Sequence, residues 1–582
     1  MSDLDLLSRN RPAASHPAAL RASVVVMKFG SSVLVSPADA PKVASDIYAE
    51  VRKGHRVVAV VSAFAGETDK LLSEARSLGL VHDNSILPSY VVQGEERAAA
   101  MVALACDRVG LDAATVTVRE LGLFAEGDSE HARPVGLDPS ALEAALARHE
   151  VVVAPGYGAL SPDGKVVLLG RGGSDLSALF IAAELGLDSV QLVKDVDGLY
   201  DRDPNQDIDA RRYDQASWSE AKVLGGGLVQ PDALDIAEAR RVNVVVRNYL
   251  DGHRTVIGDR SAPPRLAAPQ RPLRVAVAGC GVVGGGALAR LLEDPRVDVV
   301  GVLVRNPAKP RDVPGASPRH IRPLLVSDPE ALMARDPDIV LEALSEADAG
   351  HAVIRAALQR GVDVSSANKQ AVSRDPGALL SLAADRGARV LWSPAVGGGA
   401  PMIETLRAAR EAGPVAAFEA VLNGTVNFML ARLGAGASFD QALSEARAAG
   451  FAEEDPSADL EGLDALAKVR LLAFEAFGVM PEETDIPRDV LAADALPPAG
   501  SRQVCRCEMR DGRPVASVRL VSGDLDPLFS ALKGEGNALK VIGADGSVFR
   551  CRGRGAGRWA TAESLLADLS DLAARRIALQ AA

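Results

Sequence analysis

The stretch VAVAGCGVVGGGALARLL, residues 275–292, sets the architecture of the C-terminal half of the chain. Its apolar start is typical of a buried strand, and its glycines, Gly279-x-Gly281-x-x-Gly284, open a helical pattern. In this context the glycines permit a tight turn and give a pyrophosphate access to the backbone, with the helix N-terminus facing the charge. A glycine turn without a ligand is the alternative. The stretch predicts a dinucleotide-binding domain whose cofactor contacts are Gly279, Gly281, Val282, Val283 and Gly284.

The next predicted strand, residues 297–304, indicates which dinucleotide binds. A carboxylate at its end would bind the ribose 2'-hydroxyl of NAD, but the strand ends in Arg305, and Lys309 and Arg311 follow shortly. Cations at this place suit the additional phosphate of NADP. We therefore predict NADP(H) as the cofactor, with NAD as the alternative, and Arg305 and Lys309 as contacts. Solvated charges on a surface loop are the other interpretation.

A second candidate nucleotide loop lies near the other end of the chain, in VVVMKFGSSVLV, residues 24–35. Here an apolar run breaks into Gly-Ser-Ser behind a single lysine, Lys28. Backbone N–H groups and an ammonium group are suitable ligands for phosphate oxygens, although many strands end in glycine and serine. Two unrelated loops of this kind indicate that two enzymes are fused in one chain.

Length and composition limit the class of protein. With 582 residues the chain is expected to form three or four packed units, and 48% apolar residues are enough for several cores. A net charge of −13 without a basic block disfavours nucleic acid and membrane surfaces as partners. The five scattered cysteines predict neither a disulfide framework nor a zinc site, and no apolar run is long enough to span a membrane. We therefore expect a cytoplasmic protein.

One seam divides the chain at DRSAPPRLAAPQRP, residues 259–272, which has four prolines and no apolar periodicity. Before the seam, β-branched runs alternate with helical stretches, which predicts an α/β sandwich with a largely parallel sheet. The same pattern continues after it to about residue 395, and longer helices then mix with strands in an α+β arrangement. The predicted parts are a loose tail (1–20), an α/β domain (21–258), a linker (259–272), a Rossmann NAD(P)-binding domain (273–395), an α+β substrate and dimerisation domain (396–540) and a C-terminal segment (541–582) that returns to the nucleotide-binding domain.

Two stretches in the C-terminal half supply groups that can bind a substrate and move a proton. SSANKQAVS places Lys369 after an apolar strand, at the carboxyl end where the sites of α/β proteins gather. In GFAEEDPSADLEGLDALAK, Asp464 and Lys468 are four residues apart, so both side chains lie on one helix face. An ordinary exposed ion pair is the alternative for these two residues.

Five motifs, in order over residues 273–575, resemble homoserine dehydrogenase: SSANK, VGGGAPMIETL, VLNGTVNFML, GFAEEDPSADLEGLDALAK and GRGAGRWATAESLLADL. The resemblance implies reduction of aspartate 4-semialdehyde to homoserine in a homodimer or higher homo-oligomer. It implies that Lys468 donates a proton to the carbonyl oxygen and that Lys369 lies near the nicotinamide, where ammonium groups stabilise a developing alkoxide. Further implied residues are the acids Glu453, Asp459 and Asp464, which hold the substrate's amino group or orient the lysines, and Gly555 and Gly557, which return the chain to the cofactor.

Four stretches before the seam resemble aspartate kinase of the amino-acid kinase family: VVSAFAGETDKLL, VVQGEERAAA, LLGRGGSDLSALFIAAELG and LVKDVDGLYDRDP. The resemblance implies an amino-acid-kinase sandwich that binds ATP and Mg²⁺ and phosphorylates L-aspartate. It implies that Lys28 neutralises the transferring phosphoryl group and that Asp175 orients Lys28. The implied aspartate ligands are Thr68, Glu95 and Arg171, and the implied contacts of ATP and magnesium are Gly30, Ser31, Lys194, Asp195, Asp197, Tyr200 and Asp203.

The N-terminal half departs from the aspartate kinase pattern at three places. Its first loop, from Lys28 to Ser32, is one residue shorter, and Lys194 follows the strand where threonine is usual. In GGGLVQP, Gly227 stands where the family has a nucleotide-facing lysine, and Gln230 replaces a histidine. We hypothesise that Lys194 supplies the missing cation from the other side of the ATP site.

Two further departures lie in the C-terminal half. Ser393 stands where the family has a glutamate that helps to hold a monovalent cation, and LEALSEADAG lacks the usual Gly-Gly after its strand. The sequence therefore leaves open whether this half binds a monovalent cation as a cofactor.

The seam leaves no room for the ACT modules common in such fusions, so we expect little inhibition by threonine or lysine.

Three functions remain open from the sequence. The favoured one is a bifunctional enzyme of threonine and methionine biosynthesis that phosphorylates aspartate and reduces its semialdehyde. The second is a homoserine dehydrogenase whose kinase-like half is an inactive folding or oligomerisation scaffold. The third makes the N-terminal half a kinase for another amino acid.

Overall fold

The structure is a computed structural model of the chain, which forms two compact units. It describes residues 24–79, 86–204, 206–207, 209–224, 227–249, 253–266, 271–452, 454–523 and 525–581. The first unit holds the described residues up to 106 and from 112 to 266, and the second holds 107–111 and those from 271 onward.

Strands and helices alternate along the first unit. Its strands are β1 (Val24–Phe29), β2 (Arg56–Val61), β3 (Ala113–Thr115), β4 (Leu123–Glu126), β5 (Arg133–Leu137), β6 (Val151–Pro155), β7 (Gly158–Leu160), β8 (Val166–Leu168), β9 (Ser189–Val193), β10 (Leu199–Tyr200), β11 (Arg211–Tyr213), β12 (Gln215–Ser217), β13 (Asn243–Arg247), β14 (Arg254–Gly258) and β15 (Arg265–Leu266). Its helices are α1 (Ala40–Arg52), α2 (Glu67–Ser77), α3 (Leu87–Val91), α4 (Gln93–Val109), α5 (Val118–Leu121), α6 (Ser140–Arg148), α7 (Gly173–Glu184), α8 (Trp218–Leu224) and α9 (Pro231–Arg240), with a 3-10 helix at Pro37–Asp39.

An eight-stranded sheet forms the centre of the first unit in the order β12-β14-β13-β9-β1-β2-β6-β3. All of its neighbouring strands are parallel except β13 and β14. β6 is buried along its whole length and β2 along all but its first residue, so both faces of the sheet are covered, which is why these strands read as continuous valine-rich runs. The predicted parallel α/β sandwich is confirmed. Two smaller sheets, β5-β4-β7-β8 and β10-β11-β15, complete this unit.

The second unit contains a parallel sheet followed by an antiparallel one. Its strands are β16 (Leu273–Ala278), β17 (Val297–Leu303), β18 (Leu325–Val326), β19 (Ile339–Glu342), β20 (Asp363–Ser366), β21 (Val390–Leu391), β22 (Val415–Val421), β23 (Arg502–Arg510), β24 (Arg513–Val521), β25 (Gly536–Gly543) and β26 (Val548–Arg554). Its helices are α10 (Val282–Leu291), α11 (Pro318–Ile321), α12 (Pro329–Met333), α13 (Ala347–Gln359), α14 (Lys369–Ser373), α15 (Pro376–Asp385), α16 (Ser393–Gly397), α17 (Met402–Ala412), α18 (Gly424–Gly434), α19 (Phe439–Ala448), α20 (Ser457–Leu460), α21 (Leu463–Phe477), α22 (Pro527–Ser530) and α23 (Arg558–Ala581), with 3-10 helices at Arg322–Leu324 and Glu483–Asp485.

The sheet β18-β17-β16-β19-β20-β21 is parallel throughout, which confirms the predicted Rossmann domain. The ends of its central strands are in register, because Ala278 pairs with Glu342 and Glu342 pairs with Ser366. The loops after β16, β19 and β20 therefore start side by side at one edge, where ligands of such sheets bind.

The second sheet, β24-β23-β22-β25-β26, is antiparallel, so the predicted α+β domain is also confirmed. Phe418 and Val541 of this sheet share a buried core with Leu406 of α17 and Leu472 of α21. Helix α21 begins after Gly462, a left-handed N-cap residue with φ of 74°. This packing brings the first turn of α21 to the edge of the antiparallel sheet.

Two details differ from the sequence-based division. Within the predicted linker, Arg265–Leu266 forms the short strand β15, because it pairs with the edge strand β11. Val548–Arg554, in the predicted C-terminal segment, forms strand β26 and pairs with β25. The rest of this segment, α23, packs against the parallel sheet, where Leu565 shares a core with Val275 and Leu288.

Candidate active sites

Three glycines shape the loop between β16 and α10. Gly279 has a φ of 102°, and a Cβ on it would lie 2.5 Å from the carbonyl oxygen of Ala343. A Cβ on Gly284 would lie 2.0 Å from the carbonyl oxygen of Gly279. A Cβ on Gly281, the N-cap residue of α10, would meet open space. The turn thus needs two of the glycines, and the third leaves the helix N-terminus open to an anion.

Basic side chains follow β17 at the same sheet edge as the first turn of α10, which starts with Val282 and Val283. Arg305 is exposed and forms an ion pair with Glu346, which lies beyond the end of β19. Lys309 is exposed on the same loop. These cations flank the place where the ribose of a dinucleotide lies in this fold.

Two lysines share one largely buried aspartate in the second unit, and we call Lys369, Asp464 and Lys468 the dehydrogenase triad. Lys369 Nζ lies 2.8 Å from Asp464 Oδ1, and Lys468 Nζ lies 2.9 Å from Oδ2. Burial acts to raise the pKa of Asp464, but the two ammonium groups outweigh it and hold that pKa well below its usual range. Helix spacing accounts for Lys468, whereas Lys369 comes from α14 after β20. Two cations are thereby fixed at the carboxyl edge of the parallel sheet.

Asn423 completes the surroundings of the triad and was missed by the sequence reasoning. Its Nδ2 donates to Asp459 Oδ1 at 2.8 Å and to Asp464 Oδ2 at 3.0 Å, while its Oδ1 caps α18. Lys468 Nζ also donates to the carbonyl oxygen of Leu422 at 2.9 Å. Burial and the neighbouring Asp464 raise the pKa of Asp459. An asparagine directly before a helical pattern is the sequence signal that could have identified this residue.

The remaining predicted residues of the second unit lie in two places. Glu453 lies outside the described residues. A Cβ on Gly555 would lie 2.3 Å from the Asn537 side chain, and a Cβ on Gly398 would lie 2.4 Å from the Gly555 carbonyl oxygen. Gly557, with φ of 117°, precedes α23. The GRGAG segment therefore lies against α16, and glycine is required at Gly398 by the approaching backbone of Gly555 and at Gly555 by the Asn537 side chain.

Ser393 stands where the resemblance implies a glutamate, and the carboxylate of another residue lies beside it. Its side chain is buried, and its Oγ donates a hydrogen bond to the carboxylate of Glu404 on α17. A carboxylate from the next helix is thus present beside this position.

A second group of two lysines and an aspartate lies in the first unit, and we call Lys28, Asp175 and Lys194 the kinase triad. Lys28 Nζ lies 2.7 Å from Asp175 Oδ1, and Lys194 Nζ lies 2.9 Å from Oδ2. Burial acts to raise the pKa of Asp175, but the two lysines outweigh it and lower it. Burial and the charge of Lys28 lower the pKa of Lys194. Because β1 and β9 are parallel neighbours, both lysines emerge at the same sheet edge.

The kinase triad opens on a cavity of about 600 Å³, a size suited to a nucleotide. Gly227 lies on its wall, so the position of the expected lysine faces the cavity without a side chain. The cavity wall also includes residues that the resemblance assigns to ATP and magnesium, namely Lys28, Gly30, Ser31, Lys194, Asp195, Tyr200 and Asp203.

Asp197, the remaining residue assigned to the nucleotide site, is held by two neighbours. Tyr200 Oη donates to its Oδ1 at 2.7 Å, and Arg212 Nη1 donates to its Oδ2 at 2.8 Å. Arg212 was missed, because its polar surroundings in the sequence carry no recognisable motif. These two hydrogen bonds fix the carboxylate of Asp197 beside Tyr200, which lines the cavity.

Glu95, a predicted aspartate ligand, is held by neighbouring elements of the first unit. It is 3% exposed, and its carboxylate accepts the N–H of Tyr157 and lies 3.4 Å from Ser174 Oγ. Burial raises its pKa to about 7, against the opposing effect of the backbone hydrogen bond from Tyr157 and of the charge of Lys28. Thr68, in the first turn of α2, and Arg171, exposed before α7, share no hydrogen bond with it in the described part of the chain.

The GRGGSD turn before α7 is tightly packed. Gly172 has a φ of 80°, and a Cβ on it would lie 2.2 Å from Cγ of Gln230. Gln230, the residue that replaces histidine, therefore packs against this turn. Asp175 follows in the first turn of α7, so the turn fixes the aspartate of the kinase triad.

Within the described ranges, no three acidic, histidine or cysteine side chains are grouped as a metal site. No helix among those same residues has the length and apolar character needed to cross a membrane.

Comparison with known proteins assigns both units. The amino acid kinase family matches residues 23–248, the NAD-binding domain of homoserine dehydrogenase matches 279–393, and homoserine dehydrogenase matches 401–570. Homoserine dehydrogenase of Mycobacterium bovis is 30% identical over 338 residues, which are 54% of this chain and 75% of that protein. A solved homoserine dehydrogenase from Thiobacillus denitrificans is 26% identical, with 53% of this chain and 74% of that chain covered and a TM-score of 0.47.

The first unit is similar to aspartokinases. Aspartokinase 2 of Bacillus subtilis is 31% identical over 228 residues, which are 39% of this chain and 56% of that protein. The chain thus spans little more than half the length of this relative. Taken with the geometry of the two triads, these matches show that the chain belongs to the homoserine dehydrogenase family and carries an aspartokinase-like amino-acid kinase domain fused ahead of it.

Proposed function

We propose that the chain is a bifunctional enzyme of aspartate-family amino-acid biosynthesis. Its first unit phosphorylates L-aspartate with ATP, and its second reduces aspartate 4-semialdehyde to homoserine with NADPH. The observation that carries the proposal is the pair of lysine–aspartate–lysine triads, each held by contacts of 2.7–2.9 Å at the carboxyl edge of a parallel sheet. Each triad presents two cations where its reaction develops negative charge.

In the dehydrogenase, the protein's part is to bind the aldehyde and protonate its oxygen. A bound reduced nicotinamide supplies the hydride. Two of the three donors of Lys468 are engaged, by Asp464 and the Leu422 carbonyl, and the third is directed to the substrate oxygen as general acid. Lys369 stabilises the same oxygen as charge develops. Asp459, held by Asn423, accepts the ammonium group of the substrate.

The residues around the glycine loop fit a dinucleotide. The N-terminus of α10 is open at Gly281, and the crowded Gly279 and Gly284 leave the turn no room for side chains that would block a pyrophosphate. Arg305 and Lys309 are placed to bind a 2'-phosphate. These contacts support NADP(H) over NAD.

Reversing the charge of Arg305 is expected to change the cofactor preference. In Arg305→Glu, the ratio of kcat/KM for NADPH to that for NADH should fall about tenfold or more, because a carboxylate repels the 2'-phosphate. Steady-state rates with both cofactors measure the ratio. Arg360→Glu is the matched control, since Arg360 is another exposed arginine paired with a glutamate in this domain. An unchanged ratio in Arg305→Glu would exclude Arg305 from phosphate binding.

In the kinase, positioning and charge stabilisation account for catalysis. Lys28 and Lys194 lie at the cavity wall and neutralise the phosphoryl group that passes from ATP to the aspartate carboxylate. Asp195 and Asp203, also on that wall, provide carboxylates suited to Mg²⁺ bound together with phosphate oxygens. Glu95 accepts the ammonium group of aspartate, and Arg171 binds a carboxylate of the substrate.

Lys194 is expected to replace the cation that is missing at Gly227. Lys194→Ala should raise the KM for ATP about tenfold or more, because a charge-assisted contact to phosphate is lost in a largely buried site. The control is Lys70→Ala, which removes an exposed lysine whose partner Glu74 lies 3.8 Å away. A coupled assay of ADP release measures the KM for ATP in both variants. Equal ATP affinity in the wild type and Lys194→Ala would refute the replacement.

The affinity for aspartate is expected to rise with pH. Glu95 must be ionised to bind the ammonium group, and its pKa of about 7 keeps it largely neutral at the acidic end of the assay range. The KM for aspartate should therefore fall about tenfold between about pH 6 and pH 8. Glu95→Gln should abolish this trend and keep the KM high throughout. A KM that is independent of pH in the wild type would contradict the role.

Two assays of the purified chain test the proposed function. Kinase activity is measured by trapping the acyl phosphate with hydroxylamine, with aspartate and glutamate as parallel acceptors, and dehydrogenase activity by NADPH oxidation with aspartate 4-semialdehyde. We expect hydroxamate from aspartate alone, together with NADPH oxidation. Hydroxamate from glutamate would favour another acceptor, and none from either would leave the first unit as a scaffold. Absence of NADPH and NADH oxidation would refute the dehydrogenase.

A further inference from the structure

A completely buried carboxyl group ends strand β19. Glu342 is 0% exposed, and three donors converge on it: Ser366 Oγ at 2.5 Å from Oε2, and Leu344 N–H and Asn368 Nδ2 at 2.8 and 3.5 Å from Oε1. Burial raises its pKa to about 7 although all three hydrogen bonds act to lower it. Burying a carboxyl group costs free energy unless its oxygens accept hydrogen bonds, and an apolar residue at the end of this strand would carry a smaller cost of burial. The sequence motifs assign it no role.

The hydrogen bonds of Glu342 lead directly to Lys369. Asn368, which donates to Glu342, is the N-cap residue of α14, and its Oδ1 accepts the N–H of Ala371 at 3.1 Å. The N–H of Asn368 donates to Ser366 Oγ at 3.1 Å, so Ser366 links it a second time to the same carboxyl group. Lys369 is the first residue of α14. The carboxyl group therefore orients the cap from which the lysine of the dehydrogenase triad projects.

The same carboxyl group adjoins the cofactor loop. Next to it, Ala343 N–H donates to the Ala278 carbonyl at 2.7 Å, and the Ala343 oxygen is the atom that excludes a Cβ from Gly279. On the other side, a Cβ on Gly350 of α13 would lie 2.8 Å from Glu342 Oε1. The backbone on both sides of Glu342 is thus tightly packed, so a shift of its carboxyl group would also move the neighbouring backbone.

We propose that Glu342 is a positioning residue of the dehydrogenase, which acts through Asn368 to hold Lys369 where the substrate oxygen becomes charged. This inference rests on the proposed reduction of the semialdehyde. A misplacement of about 1 Å in a catalytic group can lower a rate about a hundredfold. Because Glu342 itself contacts neither substrate nor cofactor in this scheme, its loss affects kcat and leaves both KM values in place.

The first test replaces Glu342 by glutamine, which keeps its size but removes the ionisable group and one of the two oxygens that accept hydrogen bonds. Glu342→Gln should lower kcat about tenfold or more, with the KM for NADPH and for the semialdehyde within about twofold of the wild type. The matched control is Asp568→Asn. Asp568 is an equally buried carboxyl group that accepts Ser365 Oγ at 2.7 Å, from the same strand β20 but one residue before Ser366. Thermal unfolding should show a loss of stability in both variants, and kcat should fall only in Glu342→Gln.

A second variant tests the link to the helix cap. Asn368→Ser keeps a capping hydroxyl but lacks the amide that reaches Glu342, so it should lower kcat to a similar extent. Both changes disturb the contact between Glu342 and Asn368, and Asn368→Ser also removes the hydrogen bond from the Asn368 amide to the Glu346 carbonyl at 3.1 Å. The double variant should therefore be no slower than the slower single variant, within about twofold.

Three results would overturn the positioning role: wild-type kcat in Glu342→Gln, fully additive losses in the double variant, or a loss confined to the KM for NADPH. If Glu342→Gln does not fold, wild-type kcat in Asn368→Ser overturns it alone. A wild-type chain without any dehydrogenase turnover refutes the proposed function instead, so the two failures are distinguishable.

Discussion

Lys468→Ala is expected to lower kcat for the reduction of aspartate 4-semialdehyde about a thousandfold or more. The variant loses the residue that we propose as proton donor, which is also one of the two cations expected beside the developing alkoxide. Lys468 is nearly buried, with its side chain 12% exposed, and is fixed by Asp464 and the Leu422 carbonyl, so water cannot replace it in the same geometry. Asp464 keeps Lys369 as a partner at 2.8 Å, and the fold should therefore persist.

The chain provides its own control for this experiment. Hydroxamate formation by the first unit should be unchanged in Lys468→Ala, since the altered site lies in the second unit. Lys540→Ala is the matched variant in the same domain, because Lys540 also pairs with a carboxylate, Asp526 Oδ2, at 2.9 Å but lies on β25. It should reduce the semialdehyde at the wild-type rate. A near-normal kcat in Lys468→Ala would remove Lys468 from the mechanism.

Lys28→Ala is expected to lower aspartyl phosphate formation about a thousandfold. Lys28 is 6% exposed, and it lies on the wall of the cavity in the first unit, beside Asp175. Loss of this charge leaves the transferring phosphoryl group with one lysine fewer in a site largely closed to water, where charge interactions are strong. Lys194 remains bound to Asp175 and limits the structural damage.

The measurement is hydroxamate formation with aspartate as acceptor, compared with NADPH oxidation by the same sample. Only the first should fall. Lys53→Ala is the control, since Lys53 pairs with Glu50 at 2.9 Å in the first unit and its side chain is 57% exposed. Hydroxamate formation at the wild-type rate would show that Lys28 is dispensable, and a parallel loss of both activities would show that the variant is misfolded.

Much of the fold could be predicted from local patterns. The valine-rich runs of β2 and β6 indicate strands covered on both faces, and both are buried in the structure. The glycine spacing of residues 279–284 predicts the strand, turn and helix that the structure contains. The boundary at residue 540 was less successful, because strand β26 depends on pairing with β25, and no local pattern records which strand lies next to it.

The candidate sites show the same division. Lys468 and Asp464 could be paired from their spacing on one helix. Asn423 and Glu342 could not be given their roles, because the partners of each lie on other elements of the fold. The sequence supports only a hypothesis for the function of Lys194. Its contact with Asp175, which it shares with Lys28, depends on β1 and β9 being neighbours in the sheet, and no local pattern records that pairing.

By itself, the sequence determined the two nucleotide loops, the α/β character of both halves and the residue types available for each reaction, because these depend on spacing along one segment. Only the tertiary structure decided which charges meet. Parallel strands bring together loops that are far apart in the chain, so that one aspartate receives two lysines in each unit. Burial likewise raises the pKa of Glu95 and Glu342 to about 7, because desolvation is set by every element packed around a side chain.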